Sequence, residues 1–191
     1  MNLFLWGALP YIAFTFLIVG TLVRFFYFER NWTTKSSEFL EKKQLRIANP
    51  LFHFGLLCVI GGHVVGVLVP KAWTAALGIN DHMYHEGALY MGAVAGIIFI
   101  VGFLLLMKRR FTVPAMKVNT SGLDKWLYLF LTLAIFSGMA GTLLNASGFF
   151  DYRVSIGPWF RSLLSFMPDP SLMEGVPFMF KFHMLAWMVV A

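Results

Sequence analysis

Residues 47–70, IANPLFHFGLLCVIGGHVVGVLVP, decide the fold, because they contain two histidines but no Asp, Glu, Lys or Arg. A helix that crosses a bilayer needs about 20 apolar residues at about 1.5 Å each. Charge-free stretches of that length also lie at residues 3–23, 87–107 and 126–150. A fifth apolar stretch, residues 175–191, has Lys181 as its one charged residue. The sequence therefore predicts one all-α transmembrane domain, 1–191, a membrane bundle of five transmembrane helices at about 3–28, 47–70, 87–107, 125–147 and 175–191.

The composition supports a membrane protein. Hydrophobic residues make up 59% and charged residues 13% of the chain, and the mean hydropathy is +0.73. Soluble chains have roughly 45–50% apolar and 25% charged residues, and disordered chains have fewer aromatics. The one cysteine, Cys58, excludes an internal disulfide, a cysteine-ligated iron–sulfur cluster and the attachment motif of a c-type haem.

The fifth predicted helix is short. From Phe182 about ten apolar residues remain, roughly 15 Å of helix, which is about half of a ~30 Å hydrocarbon core. We therefore expect this sequence to be a C-terminally truncated form of a longer protein, with the fifth helix incomplete. Ser171 and Glu174 fit a capping box that would start this helix.

The basic residues predict the orientation. The formal charge is +6, and eleven of the 15 Lys and Arg residues lie in the two loops 24–46 and 108–125. By the positive-inside rule these loops are cytoplasmic and the N-terminus is outside. The excess charge thus needs no nucleic-acid partner. We expect a multi-pass membrane protein, with the lipid bilayer as its surroundings.

Three histidines inside the spans are the candidate metal ligands, since ionisable residues within a membrane are costly and usually functional. His53 and His63 are ten residues apart, roughly 15 Å along the helix and about 80° around it, so they cannot ligate one iron together. His183 is level with His63 on a helix of opposite direction. This geometry predicts an outer bis-histidine haem held by His63 and His183. Hydrogen bonding between helices is the alternative role.

An inner site at His53 needs a partner that these 191 residues do not contain, and a histidine beyond Ala191 would be at the right level. The sequence also offers small residues next to the histidines. Gly62 and Gly66 are candidate cofactor-binding residues, because glycine permits close approach of a porphyrin face. Ordinary helix packing is the alternative role for these two glycines. The same two roles are open to further glycines of the second and third spans, namely Gly55, Gly61, Gly92, Gly96 and Gly102.

His82 and His85 precede the third span on the outer side. They are candidate proton acceptors for a lipid-soluble substrate, with Tyr84 and Glu86 in support, since imidazole titrates near neutral pH. Solvation at the surface is the alternative. Arg109 and Arg110 are first of all positive-inside anchors, and they are second candidates for haem propionates or for the acidic surface of a partner.

The chain resembles the gamma subunit of respiratory nitrate reductase, a membrane cytochrome b. The resemblance covers essentially the whole chain and is carried by the segments NPLFHFG (49–55), GGHVVG (61–66), KRR (108–110), GPWFR (157–161) and FKFH (180–183).

The resemblance implies a function and a set of ligands. Such a subunit oxidises menaquinol or ubiquinol at the outer side and passes electrons through a distal and a proximal haem b to an iron–sulfur beta subunit. A molybdenum-containing alpha subunit then reduces nitrate, so this chain has no nitrate-reducing site. His63 and His183 match the distal ligands, and His53 matches one proximal ligand. The second proximal ligand falls beyond Ala191.

Two other interpretations remain open from the sequence. One is a di-haem, quinone-linked anchor of another oxidoreductase, such as a formate dehydrogenase, a heterodisulfide reductase or a sulfite-reducing complex. The other is a haem-free transporter or anchor, in which the histidines relay protons or join helices.

Overall fold

A computed structural model describes residues 1–27 and 40–190. Its five main helices are α1, α2, α3, α4 and α5, with bounds Phe4–Tyr27, Lys43–Leu68, Asp81–Thr112, Gly122–Leu144 and Phe178–Val190. All regular secondary structure within the described ranges is helical, which confirms the all-α prediction. Arg30 and Lys35, which count toward the first basic loop, lie outside the described residues, as do residue 28 of the first predicted helix and Ala191.

Four of the helices, α1 to α4, are long and apolar enough to cross a membrane, and α5 is a shorter apolar helix of 13 residues. The chain is consistent with an all-α membrane bundle. The last turns of α1 and α3 and the first turns of α2 and α4 lie at one end of the bundle. We call it the basic end, because the Lys- and Arg-rich residues 24–27, 40–46 and 108–125 lie there.

The third helix, Asp81–Thr112, is longer than the predicted 87–107, because the prediction included only the part of it without charged residues. The observed helix of 32 residues begins at Asp81, because the Asn80 side chain accepts a hydrogen bond from the backbone N–H of Met83 at 2.9 Å. Such a cap satisfies one of the free amides of the first turn. At the other end the helix continues through Arg109 and Arg110, since polar side chains there do not interrupt backbone hydrogen bonding.

The fourth helix begins and ends three residues earlier than predicted, at Gly122–Leu144 instead of 125–147. Ser121 and Asp124 form a capping box, so the helix starts at Gly122. It ends at Leu144 because the Asn145 side chain pairs with the backbone of Phe150, accepting from its N–H at 3.0 Å and donating to its carbonyl at 2.9 Å.

The predicted capping box at the start of α5 is wrong. Ser171 donates its backbone N–H and its hydroxyl to the carboxylate of Asp169, and residues Pro170–Met173 form a 3-10 turn instead. The helix begins only at Phe178, after Pro177.

Helices α2 and α3 pack closely through two glycines. A Cβ on Gly55 would lie 2.5 Å from the backbone nitrogen of Phe99, and a Cβ on Gly102 would collide with the backbone of Phe52. Such contacts require glycine, so these two residues serve helix packing. Helix α5 packs mainly on α4, so the bundle contains two closely packed pairs, α2 with α3 and α4 with α5.

The opposite end of the bundle is closed by the segment between α4 and α5. Its short helix Ile156–Leu164 buries Trp159, whose indole N–H donates to the carbonyl of Trp6 at 2.8 Å. Arg161 donates to the carbonyl of Val67 at 2.8 Å, in the π-helical turn Val64–Leu68 that ends α2. This segment therefore fixes the end of α2 that carries His63.

Candidate functional site

His63 on α2 and His183 on α5 face each other between the two helix pairs. Their ring centroids are 6.0 Å apart and their planes are inclined by 30°. Two imidazoles that ligate one metal ion from opposite sides have centroids about 6 Å apart, because each metal–nitrogen bond is about 2 Å long. The spacing of the two rings is thus suited to a shared metal ion.

Both imidazoles are oriented by backbone carbonyls. The Nδ1 atom of His63 lies 2.7 Å from the carbonyl oxygen of Val59, and the Nδ1 atom of His183 lies 2.8 Å from that of Ala134. A carbonyl oxygen can only accept, so Nδ1 carries a proton in each ring. In a neutral imidazole of this tautomer, Nε2 has the lone pair that a metal ion can bind. A hydrogen bond of this type fixes the tautomer of a metal-ligating histidine.

A glycine on α4 makes room for His183. A Cβ on Gly138 would lie 2.7 Å from Cε1 of His183, so the ring occupies the space that a side chain would fill. The Ser137 hydroxyl lies 3.3 Å from Nδ1 of the same ring. Sequence analysis missed Ser137 and Gly138, although Gly138 is one of only two glycines within the fourth predicted helix.

The two glycines predicted to bind a cofactor have different surroundings. A Cβ on Gly62 would have no heavy atom within 4 Å, so the α2 surface beside His63 is open there. A Cβ on Gly66 would lie 3.0 Å from Cε2 of Tyr152 and 3.4 Å from the hydroxyl of Tyr84. Gly66 therefore accommodates two tyrosines of this chain.

His53 has the same local arrangement as His63 but no facing histidine among the described residues. Its Nδ1 atom lies 2.9 Å from the carbonyl oxygen of Asn49, one turn earlier in α2, and the side chain is exposed. In the neutral ring, Nε2 is again the nitrogen with a lone pair for a metal ion.

His82 and His85 are near each other in sequence but differ in their contacts. The Nε2 atom of His85 lies 3.1 Å from the carbonyl oxygen of Ala146, and its ring packs against Gly148, which has a φ of +72°. His85 thus joins the start of α3 to the turn after α4. His82 is exposed.

A charged network that sequence analysis did not identify lies beside the tyrosines at Gly66. Lys71 contacts the carboxylates of Asp81 at 2.8 Å and Asp151 at 3.0 Å. Arg153, with 4% of its side chain exposed, contacts the same two carboxylates and lies 3.7 Å from the centre of the Tyr84 ring. The pairs Lys71–Asp151 and Arg153–Asp81 are 80 and 72 residues apart in sequence, so no local spacing could have indicated that the four groups form one network.

The network shifts the ionisation of its members. The hydrogen bond to Asp81 is the main cause that raises the pKa of Lys71 above its ordinary value, and the bond to Asp151 adds to it. Partial burial of Asp151 opposes its charged form, but the hydrogen bonds from Lys71 and from the Arg153 backbone outweigh burial and lower its pKa. Burial raises the pKa of Tyr152. Lys71, Asp81 and Asp151 are therefore ionised at neutral pH, whereas the neighbouring Tyr152 is neutral.

Comparison with known proteins gives consistent matches. Residues 2–191 match a protein family described as nitrate reductase gamma subunit. The chain is 47% identical over 187 residues to a nitrate reductase gamma chain of Bacillus subtilis, covering 97% of this chain and 84% of that protein.

Two further relatives are more distant. The respiratory nitrate reductase 1 gamma chain of Escherichia coli is 27% identical over 192 residues, covering 100% of this chain and 85% of that protein. A nitrate reductase-like protein NarX of Mycobacterium tuberculosis is 38% identical over 183 residues, which are 94% of this chain but 28% of that protein.

Proposed function

The chain belongs to the nitrate reductase gamma subunit family, and from this premise we propose that it is the membrane cytochrome b of a quinol-dependent respiratory nitrate reductase. It oxidises menaquinol or ubiquinol at the outer face of the bacterial cell membrane. Electrons pass through two haems b to an iron–sulfur beta subunit, and a molybdenum-containing alpha subunit reduces nitrate in the cytoplasm.

The opposed imidazoles of His63 and His183 carry this proposal. Their spacing suits one iron between two nitrogen ligands, and each Nδ1 is engaged by a backbone carbonyl so that each Nε2 can bind the metal. The alternative of histidines that join helices is less well supported. His183 does join α5 to α4 through the carbonyl of Ala134, but this role does not explain why His63, whose Nδ1 contact lies within its own helix, faces the His183 ring.

The proposed haems supply one-electron oxidation and reduction within the membrane. His63 and His183 hold the distal group and keep their orientation through Val59 and Ala134. His53 provides one ligand of the proximal group, nearer to the basic end of the bundle. Since the two sites are roughly 15 Å apart along α2, they divide the path across the membrane into shorter steps.

The outer end handles the protons of the quinol in this proposal. His82 and His85 act as proton acceptors, and the charged network of Lys71 and Arg153 holds the start of α3 that carries them. Electrons then move inward while protons stay outside. Each elementary charge that crosses a potential of 100 mV is worth about 2.3 kcal/mol, so the reaction conserves energy.

Difference spectra of the purified membrane complex test the haem ligands. We expect that His63→Ala and His183→Ala each remove the same b-type absorbance and abolish quinol oxidation, whereas His53→Ala removes the other b-type signal. Cys58→Ala is the matched control, since this exposed residue lies on α2 between the two histidines. A wild-type complex without b-type absorbance would refute the proposal, and separate haems lost in the His63 and His183 variants would refute the pairing.

A further inference from the structure

We propose that the basic end of the bundle binds an anionic phospholipid in a pocket between α2, α3 and α4. This basic-end pocket has a volume of about 250 Å³. Its walls are mostly apolar and include Phe52, Phe103, Leu106 and Leu131. Three lining residues carry polar groups, namely Arg109, Arg110 and Tyr128. The apolar walls are suited to the acyl chain of a lipid, and the cationic group of Arg110 is suited to its phosphate.

Arg110 lacks a hydrogen-bond acceptor at one of its nitrogen atoms. Its Nη2 atom makes two contacts of 3.3 Å, one to the carbonyl of Asn119 and one to the carboxylate of Asp124. Its Nε atom is buried and has no hydrogen-bond partner among the described residues. A buried N–H without an acceptor is unfavourable, so an oxygen from outside the chain is expected there.

The neighbouring Arg109 does not have this capacity. Its Nε donates to the carboxylate of Glu41 at 2.9 Å and its Nη2 to the carbonyl of the same residue at 2.7 Å. Arg109 thus joins the residues just before α2 to the end of α3. In addition, the Asp124 carboxylate accepts from the backbone N–H of Ser121 at 2.9 Å, a shorter contact than the one with Arg110. Of the two arginines that line the pocket, Arg110 is therefore the one whose Nε is left to bind an anion.

The charge at this end favours an anionic lipid. Within residues 24–27, 40–46 and 108–125, nine side chains are basic and two are acidic. Basic pockets between transmembrane helices are suited to anionic headgroups, and an arginine hydrogen-bonds phosphate oxygens strongly. A haem propionate is the other source of an anionic oxygen. However, the pocket is lined by Phe52, and the next residue, His53, is about 100° further around α2. A haem bound to His53 would therefore lie on a different side of α2 from the pocket.

The test compares two variants of the purified complex that remove the same charge. Arg110→Gln removes the proposed phosphate ligand, and Lys108→Gln removes an exposed lysine from the same helix. After delipidation, phosphatidylglycerol and phosphatidylcholine with the same acyl chains are added back, and bound lipid is counted by native mass spectrometry. We expect one tightly bound phosphatidylglycerol in wild type and in Lys108→Gln, with affinity lowered about fivefold or more in Arg110→Gln.

A second variant tests the apolar part of the pocket without touching the charge. Leu131→Trp fills the space beside Phe103, and we expect it to displace the lipid while Arg110 is intact. Equal binding of the two lipids, or equal losses in Arg110→Gln and Lys108→Gln, would overturn the proposal. So would an Arg110→Gln complex that loses b-type absorbance but keeps its lipid, because Arg110 would then contact a propionate. Absence of haem from wild type would refute the proposed function but leave the lipid result unchanged.

Discussion

Gly138 on α4 lies directly against the imidazole of His183 on α5, and a Cβ on this glycine would come within 2.7 Å of the ring carbon Cε1. The ring cannot move away freely, because its Nδ1 atom is bonded to the carbonyl of Ala134 one turn earlier in α4. The glycine and the carbonyl together set the position of Nε2.

Gly138→Ala is therefore expected to displace His183 and weaken haem binding. Changes to groups that orient a metal ligand typically lower metal affinity about tenfold to a hundredfold. The measurement is b-type absorbance per protein in difference spectra of the purified complex. Gly20→Ala is the control, since nothing lies within 4 Å of a Cβ at that helical position. An unchanged spectrum in Gly138→Ala would show that this contact does not position the ligand.

Glycines in the same spans should respond differently to substitution. Gly102→Ala is expected to separate α2 from α3, because the added Cβ meets the backbone of Phe52, which cannot rotate away. Overpacking of this type costs about 1–3 kcal/mol. Thermal unfolding in detergent, followed by tryptophan fluorescence, measures the loss. Gly92→Ala on the same helix has nothing within 4 Å and should keep the wild-type Tm. Equal Tm values would contradict the close packing.

The sequence could predict which segments form helices and that His63 and His183 lie at the same depth in the bundle. Both follow from the length of the apolar runs and a rise of about 1.5 Å per residue. The partners of individual side chains could not be predicted in this way. Gly55 serves helix packing and Gly138 accommodates a histidine, yet both are glycines in apolar spans. The difference depends on which helices are neighbours. Likewise, Arg153 and Asp81 are 72 residues apart and meet only through the fold.

Asn145 offers a test of how the end of α4 is fixed. The residue is 5% exposed, and its side chain makes two hydrogen bonds with the backbone of Phe150. Asn145→Ala leaves a buried amide and carbonyl without these partners, which costs about 1–3 kcal/mol. Chemical unfolding of the purified protein should detect the loss. Asn119→Ala is the control, because Asn119 is exposed. Similar stability of both variants would mean that water replaces the Asn145 contacts.

The charged network should make stability fall in acid. The pKa of Asp151 is lower in the folded protein than its ordinary value, so its contribution is present above that ordinary value and is lost as the pH falls through the folded pKa. The raised pKa of Lys71 has the opposite sign, and its contribution is lost only as the pH rises through the folded value.

We expect Tm to decline below about pH 4, near the ordinary pKa of an aspartate. Asp151→Asn should lower the Tm at neutral pH and reduce this decline. Asp169→Asn is the comparison, since Asp169 caps a separate turn between α4 and α5. If Asp151→Asn keeps the full acid dependence, other groups are responsible for it.

His82 and His85 should be separable by stability and by turnover. His85 is held by the carbonyl of Ala146 and by Gly148, so His85→Ala removes a contact between α3 and the turn after α4 and should lower Tm as well as quinol oxidation. His82 is exposed, so His82→Ala should lower only quinol oxidation. Thermal unfolding and a steady-state assay with a soluble quinol analogue distinguish the two. Full turnover in His82→Ala with b-type absorbance intact would remove His82 from the proton path, and wild-type Tm in His85→Ala would show that its contact with Ala146 contributes little.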